Sequence, residues 1–376
     1  MTETGIYIHI PFCKKKCFYC DFNSYTGCES LYYVYTDALK KEIALRKDTL
    51  FNTVSSIFIG GGTPNVLSAE CIKEILYMIY RYFNVMSDAE ITIELNPGLI
   101  TEERLRIYQE IGINRISIGL QAWQNRLLKK IGRLHTIEDF IENYRISRKY
   151  FSNINIDLIY ALPGQTFEDW KETLSKVVEL KPNHISCYGF ILEKDTVFYN
   201  LYIKGKLKMP SDDFEIDLFH YTIDFLQKCG YNHYEISNYA INSYECRHNI
   251  LYWKDMQYIG FGAGAYSFDG DKRTGNIKGI KEYIEMINNK RIAIIEEEQL
   301  KKKDKMSEFM FLGLRMMEGV NDREFKHRFS KSMFLVYKDA INKNIDLNLL
   351  MREGDRVYLT LKGMDVSNNV FEDFLI

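Results

Sequence analysis

Ile6-Tyr-Ile-His-Ile10-Pro-Phe-Cys13-Lys-Lys-Lys-Cys17-Phe-Tyr-Cys20 is the stretch on which the reading of this chain turns. Its first five residues are rich in β-branched and aromatic side chains, as strands prefer. Three cysteines follow in a C-x3-C-x2-C spacing. Three thiolates on one short loop can hold three irons of a [4Fe–4S] cluster, whose full protein ligation takes four cysteines, so one iron stays open to a small molecule. A structural zinc is the competitor and wants four ligands in closed tetrahedral geometry. His9 is the candidate fourth ligand, although it falls within the strand pattern. Cys28, Cys71, Cys187, Cys229 and Cys246 are scattered and read as structural.

The pattern repeats along the chain. Ser56–Ile59, Glu90–Leu95, Arg115–Leu120, Ile154–Ile159 and His184–Phe190 read as five further strands. Between them, Tyr32–Arg46, Ala69–Tyr82, Glu102–Glu110, Ile137–Tyr150 and Phe167–Leu180 carry apolar residues three or four apart, as helices do. Ser68 and Thr101 stand where N-caps belong. Six β-α units in series predict an α/β fold with a parallel sheet: a partial (β/α)6, TIM-like barrel, with an open doubly wound sheet as the alternative. The unusual residues follow the strands: the cysteines, Gly60-Gly-Gly-Thr-Pro64, Asn96-Pro-Gly98, Gln121 and Leu162-Pro-Gly-Gln-Thr166. In β/α barrels that is the active-site face.

After residue 200 the rhythm changes. Asp212–Lys228 reads as a helix, Tyr231–Trp253 is polar and aromatic, and Gly260–Tyr266 is glycine-rich. Residues 1–295 are therefore taken as the core, with an extension over about 200–295, and residues 296–376 as a small, mostly helical C-terminal domain. The Lys301–Lys305 charge run reads as a linker or a helix start, and the methionine-rich Glu308–Met317 as a core helix.

Composition narrows the class. Among 376 residues, 49 Lys+Arg against 51 Asp+Glu give a net charge of -2, so a generally basic nucleic-acid binder is excluded. Apolar residues at 46% can build a sizeable core. No run of 18 apolar residues occurs, so no integral membrane segment is expected. No secretory signal is visible at the N-terminus, and a cytoplasmic location is expected.

The cysteine spacing, with an aromatic before the third cysteine, resembles the radical S-adenosylmethionine (SAM) family. Tyr7–Cys13, Phe18–Ser24, Gly60–Pro64, Arg115–Gln121, Asp157–Gln165 and Leu359–Gly363 are similar to its coproporphyrinogen-oxidase-like branch, along nearly the whole chain. That resemblance implies that Cys13, Cys17 and Cys20 hold a [4Fe–4S] cluster whose open iron is chelated by SAM. It implies reductive cleavage of SAM to a 5′-deoxyadenosyl radical, fed by a reducing electron donor; Lys14–Lys16 read most simply as a solvated face, and their charge would also steer a negatively charged donor. It assigns the SAM site to Tyr7, Tyr19, Gly61, Gly62, Thr63, Glu94, Gln121, Arg133 and Asp157. On residues alone, Tyr7 reads equally well as a core aromatic, Glu94 as the partner of a buried arginine, and Arg133 as a solvent-facing helix residue.

Two functions compete within that branch: an oxygen-independent coproporphyrinogen III oxidase, and a haem chaperone of the HemW type. The oxidase pattern continues to a further cysteine, where this chain has Phe22, and only 12 residues precede Cys13, where the oxidase carries a longer extension. His248-Asn249-Ile-Leu-Tyr252-Trp253 resembles the haem-binding signature of the chaperones. A neutral imidazole is a good axial ligand, Tyr252 and Trp253 offer flat faces, and Asn249 is placed to orient the ring. Cys246 and His233 are auxiliary candidates. The expectation is a carrier that binds cluster, SAM and haem and passes haem to an acceptor protein, a respiratory one among the candidates; a radical-SAM methyltransferase ranks third.

Overall fold

The six apolar runs pair with one another in chain order. The computed structural model describes residues 3–49 and 53–375. In it β1 (Glu3–Ile10), β2 (Thr53–Gly61), β3 (Val85–Leu95), β4 (Arg115–Gln121), β5 (Asn153–Tyr160) and β6 (His184–Gly189) lie side by side, each parallel to the next. Helices Tyr32–Leu45, Ala69–Tyr82, Glu102–Glu110, Ile137–Ser147 and Phe167–Glu179 connect them, within a few residues of the sequence reading. Ser68 and Thr101 do cap their helices, accepting from the amides of Cys71 and Arg104.

Strand alternation sorts the side chains. Ile6, Ile8, Ile57, Ile59, Ile93, Ile116, Ile118, Ile154, Ile156 and Ile185 are wholly buried on the face covered by the helices. Their neighbours in sequence form the other face: Tyr7, His9, Ser56, Phe58, Glu90, Glu94, Arg115, Ser117, Asn155, Asp157, His184 and Ser186. That face is polar, and it is the inside of the barrel.

The barrel does not close. The outer edge of β6 is taken by antiparallel β8 (Asn238–Ala240), which pairs with β7 (Asn232–Glu235). The outer edge of β1 is taken by parallel β9 (Tyr258–Phe261), followed by β10 (Tyr266–Phe268), β11 (Lys272–Asn276) and β12 (Ile294–Gln299). The resulting 12-stranded sheet ends at β12 and β7, so the partial-barrel expectation holds and the doubly wound alternative falls.

The C-terminal region has its own core around Met310, Phe325, Val357 and Phe374. It packs helices Lys302–Gly313, Asp322–Phe329 and Lys338–Asp346 on a small sheet of β13 (Val320–Asn321), β15 (Arg356–Leu359) and β14 (Leu350–Glu353). The charge run is a helix start, its first free amide, at Lys301, held by Asp304 at 2.8 Å. Met306, Met310 and Met316 are buried core residues, as the sequence suggested. Among the described residues no helix is long and apolar enough to cross a membrane.

Candidate cofactor site at the carboxyl ends of the strands

The loop after β1 is tied down at several points. Phe12 is fully buried against Tyr32 and Tyr35. Cys13 N–H donates to Tyr25 O and Tyr25 N–H to Pro11 O, so the loop returns to where it began. Phe18 N–H donates to Ile131 O, and Lys16 Nζ to Phe22 O at 3.0 Å. Backbone pinning of this kind fixes the thiols without using the thiols.

Cys13, Cys17 and Cys20 line one pocket of about 370 Å³. Tyr19, Gly61, Gly62, Thr63, Glu94, Gln121, Arg133 and Asp157 line it too. Eleven of the residues singled out in the sequence thus meet in one place, although they come from five different β-α loops and strands. Tyr7 does not line it: it lies one layer deeper in the barrel, its hydroxyl on His9 Nδ1 at 2.9 Å and its ring beside Phe58.

The donor set bears on which metal fits. Among the described residues no three His, Cys, Asp or Glu side chains converge closely enough to hold one metal ion. Three thiols with an open side suit an iron–sulfur cluster with one free iron, whereas a structural zinc wants a closed set of four ligands. His9, the candidate fourth zinc ligand, has both ring nitrogens engaged, by Tyr7 and by Asn23 O at 2.8 Å. Burial pushes the Cys20 thiol up to about 11, so a metal bound there would have to displace a proton.

Next to the thiols the backbone is laid bare. Gly61 has φ +109, and a Cβ on it would stand 2.5 Å from the His9 ring; one on Gly62 would stand 2.6 Å from Phe12 O. Only glycine permits both. Gly61 N–H donates to Glu94 Oε2 at 3.1 Å. Burial and the Asp157 carboxylate raise the Glu94 carboxyl to about 8, against the opposing pull of Gly61 N–H and Arg115. Asp157 is also raised by burial, but Ser117 (2.7 Å) and Asn155 (2.8 Å) donate to it. Asn155 is in turn held by His184 at 2.6 Å.

Arg133 is not on a helix. The short helix Asn125–Lys130, unseen in the sequence, ends at Gly132 with φ +84, and this left-handed turn swings Arg133 back over the pocket. Its guanidinium donates to Gly119 O (2.6 Å), Asn96 Oδ1 (2.8 Å) and Cys17 Sγ (3.7 Å), while its buried Nε has no partner among the described residues. An unsatisfied buried donor in a pocket asks for a ligand acceptor. Ser117 and Asn155 were missed as site residues; the one available signal was their position on the inward face of a strand, whereas Asn96 was singled out with its loop but not assigned a role.

The H-N-x-x-Y-W residues lie elsewhere. Helix Arg247–Trp253 sits under the amino ends of the strands, its first amides, of Arg247 and His248, donating to Glu90 at 3.1 Å each. His248 is 1% exposed. Its Nδ1 meets Ser56 Oγ at 2.8 Å and its Nε2 meets Tyr252 Oη at 2.9 Å, while its ring stacks on Phe58. Ser56 and Tyr252, rather than Asn249, orient the imidazole. A Cβ on Gly5 would touch this ring at 3.1 Å, whereas the cysteine loop begins past Ile10, roughly 17 Å further along β1. Trp253 faces a different cavity, which Met256, Phe309 and Met316 also line.

A model of the Radical SAM superfamily matches residues 7–177, and one of the HemN C-terminal domain matches residues 300–366. A protein of Lactococcus lactis named heme chaperone HemW is 40% identical over 98% of this chain and 97% of its own length. The Bacillus subtilis protein of the same name is 37% identical over 98% of each. This chain belongs to the HemW group of the radical SAM superfamily. Among solved structures, coproporphyrinogen III oxidase (HemN) of Escherichia coli superposes with a TM-score of 0.86 at 25% identity, over 100% of this chain and 90% of that one. This HemW-group chain thus shares the architecture of that oxidase from the first strand to the C-terminal helices.

Proposed function

We propose that this HemW-group chain is a haem chaperone: it binds one [4Fe–4S] cluster, SAM and haem, and passes haem to an acceptor protein. The similarity to heme chaperones over both the barrel and the C-terminal region carries this reading. Cys13, Cys17 and Cys20 would hold the cluster. Gly61 and Gly62 would let a ligand lie against bare backbone, with Thr63, Tyr19 and Gln121 around it. Glu94 and Asp157 would face the cationic part of SAM, and Arg133 its acceptors, with Tyr7 supporting the layer beneath. When bound, cluster and SAM supply one-electron reductive chemistry, drawn from an electron donor that the Lys14–Lys16 rim would attract. His248, Asn249, Tyr252 and Trp253 form the motif assigned to haem. In this reading residues 1–295 are the core with its extension, residues 296–376 the C-terminal domain, and the protein acts in the cytoplasm.

The HemN likeness supports a second reading, oxygen-independent coproporphyrinogen III oxidation. Against it stands Phe22, 60% exposed on the pocket rim where the oxidase pattern has a cysteine. Anaerobic protein with a reconstituted cluster, given hemin or coproporphyrinogen III, separates the two. A hemin-dependent Soret shift without protoporphyrinogen formation is expected; turnover to the two-vinyl product would replace the chaperone by the oxidase. Replacing Cys13, Cys17 and Cys20 by serine should abolish absorption near 400 nm, and zinc in place of iron would remove the radical SAM chemistry altogether.

A further inference from the structure

Ser117, Asn155 and His184 are register partners on β4, β5 and β6, and all three are buried on the inner face of the barrel. Asp157 stands two residues beyond Asn155 on the same face of β5, one layer nearer the pocket. We infer that Tyr234, His184 and Asn155 are positioning residues of the SAM site: they form a one-way hydrogen-bond relay from the Cys246 amide to Asp157 and hold that carboxylate as the fixed anion of the pocket. The inference rests on the SAM reading above.

A backbone amide sets the direction, because it can only donate. Cys246 N–H donates to Tyr234 Oη at 3.2 Å. The Tyr234 hydroxyl proton then has one acceptor among the described residues, His184 Nε2 at 2.8 Å. An Nε2 that accepts leaves the proton of a neutral imidazole on Nδ1, and Nδ1 donates to Asn155 Oδ1 at 2.6 Å. Burial and the Arg115 charge hold this imidazole well below its ordinary range, so it stays neutral. Ser186 Oγ donates to the same carbonyl at 3.2 Å. With its oxygen engaged, Asn155 turns its amide nitrogen to Asp157 Oδ1 and Ser117 Oγ, both at 2.8 Å. Ser117 Oγ in turn donates to Asp157 Oδ2 at 2.7 Å. Every donor therefore points at the carboxylate. The reverse order, with a protonated Asp157 donating to Asn155, would leave the Tyr234 proton without an acceptor.

Hydrogen bonds in series polarise one another, and such a network orders its members when every one is satisfied. No side-chain nitrogen or oxygen of Tyr234, His184, Asn155, Ser186 or Ser117 stands among the buried atoms without a partner. Two carboxyls facing each other in one pocket do not both ionise readily. The relay selects Asp157 as the anion and leaves the proton on Glu94, which faces it from β3. The first link lies at the residue that precedes helix Arg247–Trp253, and Met317 N–H holds Tyr234 O at 3.0 Å. The pocket carboxylate is thus set from the other end of the barrel and from the C-terminal region.

The test joins a double-mutant cycle to NMR of isotope-labelled histidine. SAM affinity is read by equilibrium dialysis against anaerobic, cluster-reconstituted, full-length protein. Tyr234→Phe removes one hydroxyl and keeps the ring. It should weaken SAM binding about ten-fold when Asp157 is present, and by less than about two-fold in an Asp157→Asn background. In the metal-free wild type, the His184 ring resonances, identified by their loss in His184→Gln, should show Nδ1 protonated and Nε2 bare. Tyr234→Phe should move the Nε2 resonance. An Nε2-protonated His184 would reverse the relay and overturn the inference. So would unchanged SAM affinity in Tyr234→Phe, or a loss of equal size in both backgrounds, the mark of a merely structural role. A wild type that binds no SAM would overturn the SAM reading itself, and the histidine tautomer would still decide the direction of the relay.

Discussion

The guanidinium of Arg133 reaches the sulfur of Cys17 at 3.7 Å while Gly119 O and Asn96 Oδ1 fix its other nitrogen. One arginine thus bridges the first β-α loop, the end of β3 and the middle of β4. A lysine keeps the charge but loses the fork.

For Arg133→Lys we expect SAM affinity to fall roughly 10–100-fold, the usual effect of losing an orienting contact at a metal site, with iron content near wild type. Equilibrium dialysis of SAM against anaerobic protein measures this. An unchanged affinity would remove Arg133 from the ligand site.

Glu94 predicts a pH effect. Its folded carboxyl titrates at about 8, above the ordinary 4.5. Between those values the folded state holds a proton that the unfolded state has released, so stability falls as pH rises through this window. The apo-protein should melt higher at pH 5.5 than at pH 8.5, after the contribution of the other groups is subtracted by comparison with Glu94→Gln. A wild-type slope equal to that of the variant would contradict the buried, carboxylate-facing environment.

Gly61→Ala meets both a positive φ and a 2.5 Å contact with His9. It should cost about 1–3 kcal/mol and release SAM. Gly27→Ala also has a positive φ, +68, but meets nothing within 4 Å, and should cost about 1 kcal/mol without touching SAM binding. Paired denaturant melts and SAM titrations compare the two.

His248→Ala should destabilise the fold by about 2–4 kcal/mol, because it leaves a cavity and orphans the Ser56 and Tyr252 hydroxyls. Thermal melting of the metal-free protein checks this. A variant as stable as wild type would contradict the buried, doubly bonded environment of this ring.

The strands and five connecting helices were legible because parallel β-α units write two clean periods into the sequence, isoleucine at every second residue and then an amphipathic helix. The loop chemistry was legible because cysteine and triple glycine have few other uses at a strand end. What escaped depends on contacts distant in sequence. Arg133 looked like a helix residue because a short helix of six residues and a Gly132 turn leave almost no periodic signal. The polar stretch from Tyr231 hid β7 and β8, which exist only because β6 offers them an edge. His248 stands out in the sequence through its motif, but the two hydroxyls that hold its ring, those of Ser56 and Tyr252, come together only in the fold.

Glu90 and Glu94 are four residues apart on the inner face of β3, one gripping the amides of Arg247 and His248, the other the amide of Gly61. A slip of one residue in this strand would turn both carboxylates outward and release both grips together. β3 therefore acts as a ruler spiked at each end, setting a constant spacing, roughly 13 Å, between the upper loops and the lower helix whatever occupies either.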